Sequence, residues 1–217
     1  MKIYILNDYI LKMSYIENED KIIIIQKYVR RFLIQKNILL PASYYQTKNW
    51  RKNQEWYMNG KANECEKYQI YYIQKIIMKN ITKTNDRINM ETIEIINKRT
   101  PNVYNDGFEW SENFDGKIIK NNNTYYFNLK FVCDSGGGQT RSLREVYHFI
   151  KYQMKYLLKY KSENIYFINI LDGNTSHNNM DKYKYLYDKP KYKNIIKYMF
   201  IGDLYSFQKY INAFKNR

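Results

Sequence analysis

Two hydrophobic periods run through this chain, and the places where one gives way to the other mark its elements. In residues 22–36, Ile22, Ile25, Val29, Phe32 and Leu33 recur at helical spacing with Lys27, Arg30, Arg31 and Lys36 between them. That pattern predicts a basic amphipathic helix, which Pro41 and Ser43 end. Cys65, Tyr68, Tyr72, Ile76 and Met78 predict a second helix over about 62–79. From Gly107 the period falls to two: "FEWSENFDGKIIK" and "TYYFNLKFVCD" flank an asparagine turn at 121–123 and read as a hairpin. Leu143, Val146, Tyr147, Ile150, Met154 and Leu157 restore the helical period over about 140–161. "NIYFINIL" at 164–171 then reads as a buried strand, 178–193 as a tyrosine- and lysine-rich loop, and the end of the chain as a strand followed by a helix.

This order predicts an α/β fold in which helices flank a mixed central β-sheet. Residues 1–42 form an N-terminal basic helical extension and 43–217 the main domain, with Pro41 at the boundary. Within the extension, "IQKYVRRFLIQK" resembles the IQ motif that binds calmodulin-type light chains, through Ile25, Gln26 and Arg30. Arg31 stands where that motif has glycine, and Lys36 comes one position late. A basic arm packed on the domain or lying on nucleic acid is the competing reading.

Charge sharpens the choice of partner. The 36 Lys and Arg against 21 Asp and Glu give a formal net charge of +15, which favours a polyanion, with part of the lysine and tyrosine content set by an AT-rich coding genome. Only Cys65 and Cys133 are present, and the two histidines, His148 and His177, lie far from them in sequence. The usual zinc-finger and HNH-type spacings are therefore excluded, and a reducing, intracellular setting is expected. No apolar run approaches the roughly 20 residues of a membrane span. Trp50 and Trp56, set among basic and amide side chains, suit either nucleic-acid stacking or a place in the core.

The chemistry-bearing residues gather around the hairpin. Asp115 stands at the mouth of its first strand and Lys130 near the middle of its second, so folding at the asparagine turn brings acid and amine together. Asn128 and Lys130 share a strand face, and an ammonium in so apolar a strand needs a partner. Immediately afterwards "DSGGGQTRSLREVY" opens a helix. Consecutive glycines let main-chain amides approach a phosphate, with Ser135, Gly136, Gly137, Gly138, Gln139, Thr140, Arg141 and Arg144 as the candidate DNA-binding set. The segment lacks the Gly-Lys-Ser/Thr ending of a Walker A loop.

Over roughly residues 60–175, "FDG", "NLK" thirteen positions on and the glycine-rich helix start resemble the PD-(D/E)XK nuclease superfamily, and within it the type II restriction endonucleases. The resemblance implies a restriction-endonuclease-like fold and a magnesium-dependent endonuclease acting on double-stranded DNA at a specific sequence, with a homodimer matching the two-fold symmetry of its target. It implies Asp115 as first metal ligand, Lys130 as the catalytic lysine that orients and deprotonates the attacking water, and Glu66 or Glu64 as the helix carboxylate. Asn128 departs from the pattern by standing where the family has Asp or Glu; an amide oxygen can ligate magnesium without contributing charge. Glu112, Asp134 and Glu145 are candidates to supply the missing carboxylate, and Asp172 is expected to shape a turn with Gly173. The alternatives are a nucleic-acid-binding protein that keeps the fold without the catalysis, and an IQ-like regulatory or scaffold protein.

Overall fold

The computed structural model describes residues 43–97, 110–134 and 136–215. The basic extension with its IQ-like segment, the turn at Pro101 and Ser135 lie outside the described residues.

After a 3-10 turn at Ser43–Tyr45 come a short helix, α1 (Lys48–Lys52), and a long one, α2 (Ala62–Ile77). Three short strands follow, β1 (Arg87–Asn89), β2 (Glu94–Ile96) and β3 (Ser111–Asn113). The predicted hairpin is β4 (Gly116–Lys120) and β5 (Asn123–Phe131). Next come α3 (Gly137–Tyr160), β6 (Ile165–Asp172), α4 (Asn174–Asn178), α5 (Met180–Tyr187), β7 (Met199–Gly202) and α6 (Leu204–Lys215).

The hairpin forms because Asn121 and Asn122 both accept left-handed backbone, with φ of 51° and 61°. Two such residues match the twist of the flanking strands, and asparagine tolerates this region better than most side chains. The pairing sets Gly116 opposite Phe127 and Lys120 opposite Asn123. Helix α3 then carries the chain across the sheet, so β5 and β6 run parallel, with Asn128 opposite Asn169 and Phe131 opposite Asp172. Parallel β7 completes the order β4-β5-β6-β7.

Alternation along the strands feeds two hydrophobic layers. Tyr126, Phe167 and Leu171 pack with Phe114 and with Leu143, Val146, Phe149, Ile150 and Met154 of α3. Phe127 points the other way and meets Phe207 of α6, while α2 covers the same strands through the buried Ile73 and Gln69. Helices thus flank a mixed sheet, as the alternating periods predict.

Two elements were not legible in the pattern. A second, antiparallel sheet has the order β2-β1-β3, and its β3 takes up the first half of the run "FEWSENFDGKIIK" that reads as a single hairpin strand. The supposed loop at 178–193 contains α5, whose Tyr183 and Leu186 are buried three residues apart among exposed lysines. A helix whose apolar stripe is this narrow reads as polar from sequence.

Candidate active site

Asp115 grips β5 on both sides of Asn128. Its backbone N–H donates to the Phe127 carbonyl at 2.9 Å, and its carboxylate accepts from the Leu129 N–H at 2.6 Å. Burial raises the Asp115 carboxyl to about 6. The Leu129 hydrogen bond opposes that rise; among its charged neighbours Glu66 and Glu112 add to it, and Lys130 opposes it. The hairpin, α2 and β3 therefore bring Glu66, Glu112, Asp115 and Lys130 into one electrostatic neighbourhood. Lys130 is part-exposed, next to the buried Leu129 on β5.

The helix carboxylates separate by role. Glu64 accepts from the backbone N–H groups of Asn59 and Lys61 and from the Asn59 side chain, closing the start of α2. Glu66, two residues on, is the one whose charge reaches Asp115. Among the three carboxylates considered as replacements for the missing acid, Asp134 forms an ion pair with Lys48 at 2.8 Å. Glu112, on β3, keeps solvent contact yet has its carboxyl raised, first by desolvation; Lys130 and Arg87 oppose this and Glu145 of α3 adds to it. A chain of +15 thus concentrates acids beside Lys130, an arrangement a cation would relieve.

Asn128 is 7 % exposed, and its amide nitrogen donates to Asn169 Oδ1 at 2.8 Å. Asn169 and Gln153, both fully buried, exchange two further amide hydrogen bonds, and Asn169 also donates to the Phe200 carbonyl. Asn128 is therefore the end of a neutral amide network between sheet and α3, with its Oδ1 as the atom that could take a cation.

The residue that sequence reasoning missed is Gln69. It is buried on α2, and its amide donates to the Lys130 carbonyl at 3.1 Å, to the Ile170 carbonyl at 3.4 Å and to Asp172 Oδ2 at 2.7 Å. Its signal was available: a lone amide on the apolar face of a helix, one turn after Cys65. Asp172 does more than shape a turn. Fully buried, it also accepts from the Leu204 N–H, and desolvation raises its carboxyl to about 7, with the Gln69 hydrogen bond opposing the shift and the neighbouring Asp203 adding to it.

The glycines Gly136, Gly137 and Gly138 are exposed, and none lies in the left-handed region of φ that favours glycine. A side chain added at Gly137 or Gly138 would meet nothing, and at Gly136 only the end of Gln139. Gly173 differs: its φ is +92° and an added Cβ would collide with the Val132 backbone. The fold requires glycine at 173 but not in the triplet. Thr140 hydrogen-bonds back to Gly136, and Arg141 and Arg144 extend from the first turns of α3 into solvent. Trp50 and Trp56 pack against one another and against Phe131 and Tyr68, with the Trp56 and Tyr68 rings stacked at 4.5 Å. That cluster backs the end of β5.

No group of three or more His, Cys, Asp or Glu side chains suited to one metal ion occurs among the described residues. Magnesium commonly takes only one or two protein carboxylates and keeps water and phosphate oxygens as its other ligands, so Asp115 and Glu66 with the Asn128 amide oxygen fit it in kind. Among the described residues no helix is long and apolar enough to cross a membrane. Comparison of the chain with protein-family models, with curated proteins and with solved structures gave no match.

Proposed function

We propose that the protein is a magnesium-dependent endonuclease of double-stranded DNA with a restriction-endonuclease-like core. The observation that carries this reading is the electrostatic grouping of Asp115, Glu66 and Lys130 at the hairpin. Helix α2 precedes hairpin β4–β5, with β1–β3 between them, and crossover helix α3 and parallel β6 come after it; a helix carboxylate upstream of the hairpin supports this reading.

In this reading Asp115, Glu66 and the Asn128 oxygen hold the ion, with Glu112 as the nearby carboxylate that supplies the charge Asn128 lacks. The ion, when bound, neutralises charge on the phosphate and makes water a better nucleophile. Lys130 orients the attacking water and takes part in its deprotonation from a strand whose backbone is fixed on both sides, by Asp115 at the Leu129 N–H and by Gln69 at the Lys130 carbonyl. The exposed glycines admit the DNA backbone to main-chain N–H groups, and Thr140, Arg141 and Arg144 add donors beside it.

Incubation of the protein with unmodified plasmid DNA in magnesium and then in manganese tests the proposal: discrete fragments are expected, and intact DNA with both ions overturns it. The engagement of Asn128 with Asn169 favours a second reading, a DNA-binding protein that keeps the fold without cleavage. Retarded but uncut DNA would select it.

A further inference from the structure

Close to the glycine triplet in sequence, an open groove of about 560 Å³ runs between the first turns of α3 and α5 with the preceding Asn179. Leu143 and Tyr183 contribute apolar surface to it; the Tyr183 hydroxyl is already spent on the Leu143 carbonyl at 2.9 Å. Asn179 is spent too, donating to the Thr175 carbonyl and accepting from Lys182 Nζ at 2.6 Å, while Asp181 is paired with Lys184. What the groove still offers is the part-exposed ring of Tyr147, tilted against Tyr183 at 6.1 Å, the exposed ring of Tyr185, and the exposed Arg144, which has no ion-pair partner among the described residues. Tyr185 has Lys189 Nζ 4.8 Å from its centroid and so one face left for a ligand. Lys182 adds a second cation on the opposite wall.

Ring faces and cations over an apolar floor suit a particular ligand. In duplex DNA the faces of the bases are stacked on one another and only their edges are displayed in the grooves. A site of tyrosine rings next to guanidinium accepts a base only when its face is free, with the phosphate on the cation. Because the floor's hydrogen-bonding groups are already used, the site reads the presence of a base and not its identity. Thr140 and Arg144 line it from the turns of α3 that follow Gly136–Gly138, so a strand approaching the glycines passes its mouth.

We infer that this groove receives one unstacked nucleotide of the bound DNA, its base against Tyr147 and Tyr185 and its phosphate at Arg144 and Lys182. The inference rests on the proposed nuclease reading and adds a substrate feature to it. The unstacked nucleotide comes either from a base extruded from a duplex or from a single-stranded segment.

The test measures affinity of the full chain, unmodified and as Tyr185→Ala and Tyr185→Phe, for a fully paired duplex, the same duplex with one bulged base, and a single strand. Tyr185 is 59 % exposed, so these substitutions leave the fold intact. Tyr185→Ala is expected to weaken the bulged and single-stranded DNA by about tenfold, and Tyr185→Phe to preserve binding, since stacking needs the ring alone. A matching loss on the paired duplex identifies base extrusion as the source; an unchanged paired duplex identifies a single-stranded segment. If Tyr185→Ala binds all three as the unmodified protein does, the groove assignment is overturned and the DNA reading stands. If the unmodified protein binds none of them, both are overturned.

Discussion

Gln69 Nε2 donates to Asp172 Oδ2 at 2.7 Å, in a part of the core where both residues are essentially without solvent contact. The same amide reaches the Lys130 carbonyl, so one side chain joins α2 to both central strands of the larger sheet. Gln69→Leu is expected to destabilise the fold by about 1–3 kcal/mol, because Asp172 and the strand carbonyls lose a buried donor. Urea denaturation measures it, and a change within error would show that water replaces the amide.

Asp172 also sets the sign of a pH dependence. Its folded-state value of about 7 lies above the ordinary carboxylate value of 3.8, so between these limits the native chain holds more protons than the unfolded one. Its contribution to stability is complete below about pH 4 and is lost as pH rises toward 7. Asp115, raised to about 6, acts in the same direction. The urea midpoint is expected to fall from pH 5 to pH 8, and a midpoint that rises over that range would contradict the burial of both carboxyls.

At the hairpin, Lys130→Ala is expected to lower magnesium-dependent cleavage by at least about a hundredfold while leaving DNA affinity nearly unchanged, since it removes a proton-transfer group and only one of 36 basic residues. Cleavage rates with saturating DNA, set beside gel-shift affinities, separate the two effects. Undiminished cleavage would remove Lys130 from the site.

Asn128→Asp gives a two-part outcome. Without metal, the new carboxylate faces Asn169 Oδ1, whose own amide nitrogen is held by Gln153 and Phe200, so the melting temperature should fall. Adding magnesium should raise it more than it raises that of the unmodified protein, since only a native site that binds the ion gains from it. Equal magnesium responses would show that position 128 does not face the metal.

Affinity for DNA should fall steeply from about 50 to 200 mM salt as condensed counterions are released. A flat dependence would mean that the +15 charge serves no polyanion.

Much of the framework was legible because it rests on local rules. The asparagine turn, the alternation in "YYFNLKFV" and the long stripe of α3 each depend on neighbouring residues, and each lies within a few positions of its expected limits. What was hidden depends on partners distant in sequence. Nothing near Asn128 announces that Asn169, 41 residues on, takes its amide hydrogen, and nothing near Asp172 announces Gln69, 103 residues back. The small β2-β1-β3 sheet was missed for a different reason: strands of three residues carry too little alternation to register. Glu64 and Glu66, equivalent on the helix by sequence, were told apart only by the loop at Asn59 that claims the first of them.

The Gln69 bridge also orders events in time. The β4–β5 hairpin closes through a two-residue turn and is the kind of unit that forms within microseconds, whereas parallel pairing of β6 must wait for the 24-residue crossover helix. Gln69 finds its full set of acceptors only once Ile170 and Asp172 have arrived. A nascent chain still emerging from the ribosome therefore carries Asp115 and Lys130 on one formed hairpin, but the helix bearing Glu66 gains its full set of contacts with the sheet only when β6 has been made. The proposed site therefore gains its helix carboxylate only after β6 has been made, one step later than the hairpin that carries Asp115 and Lys130.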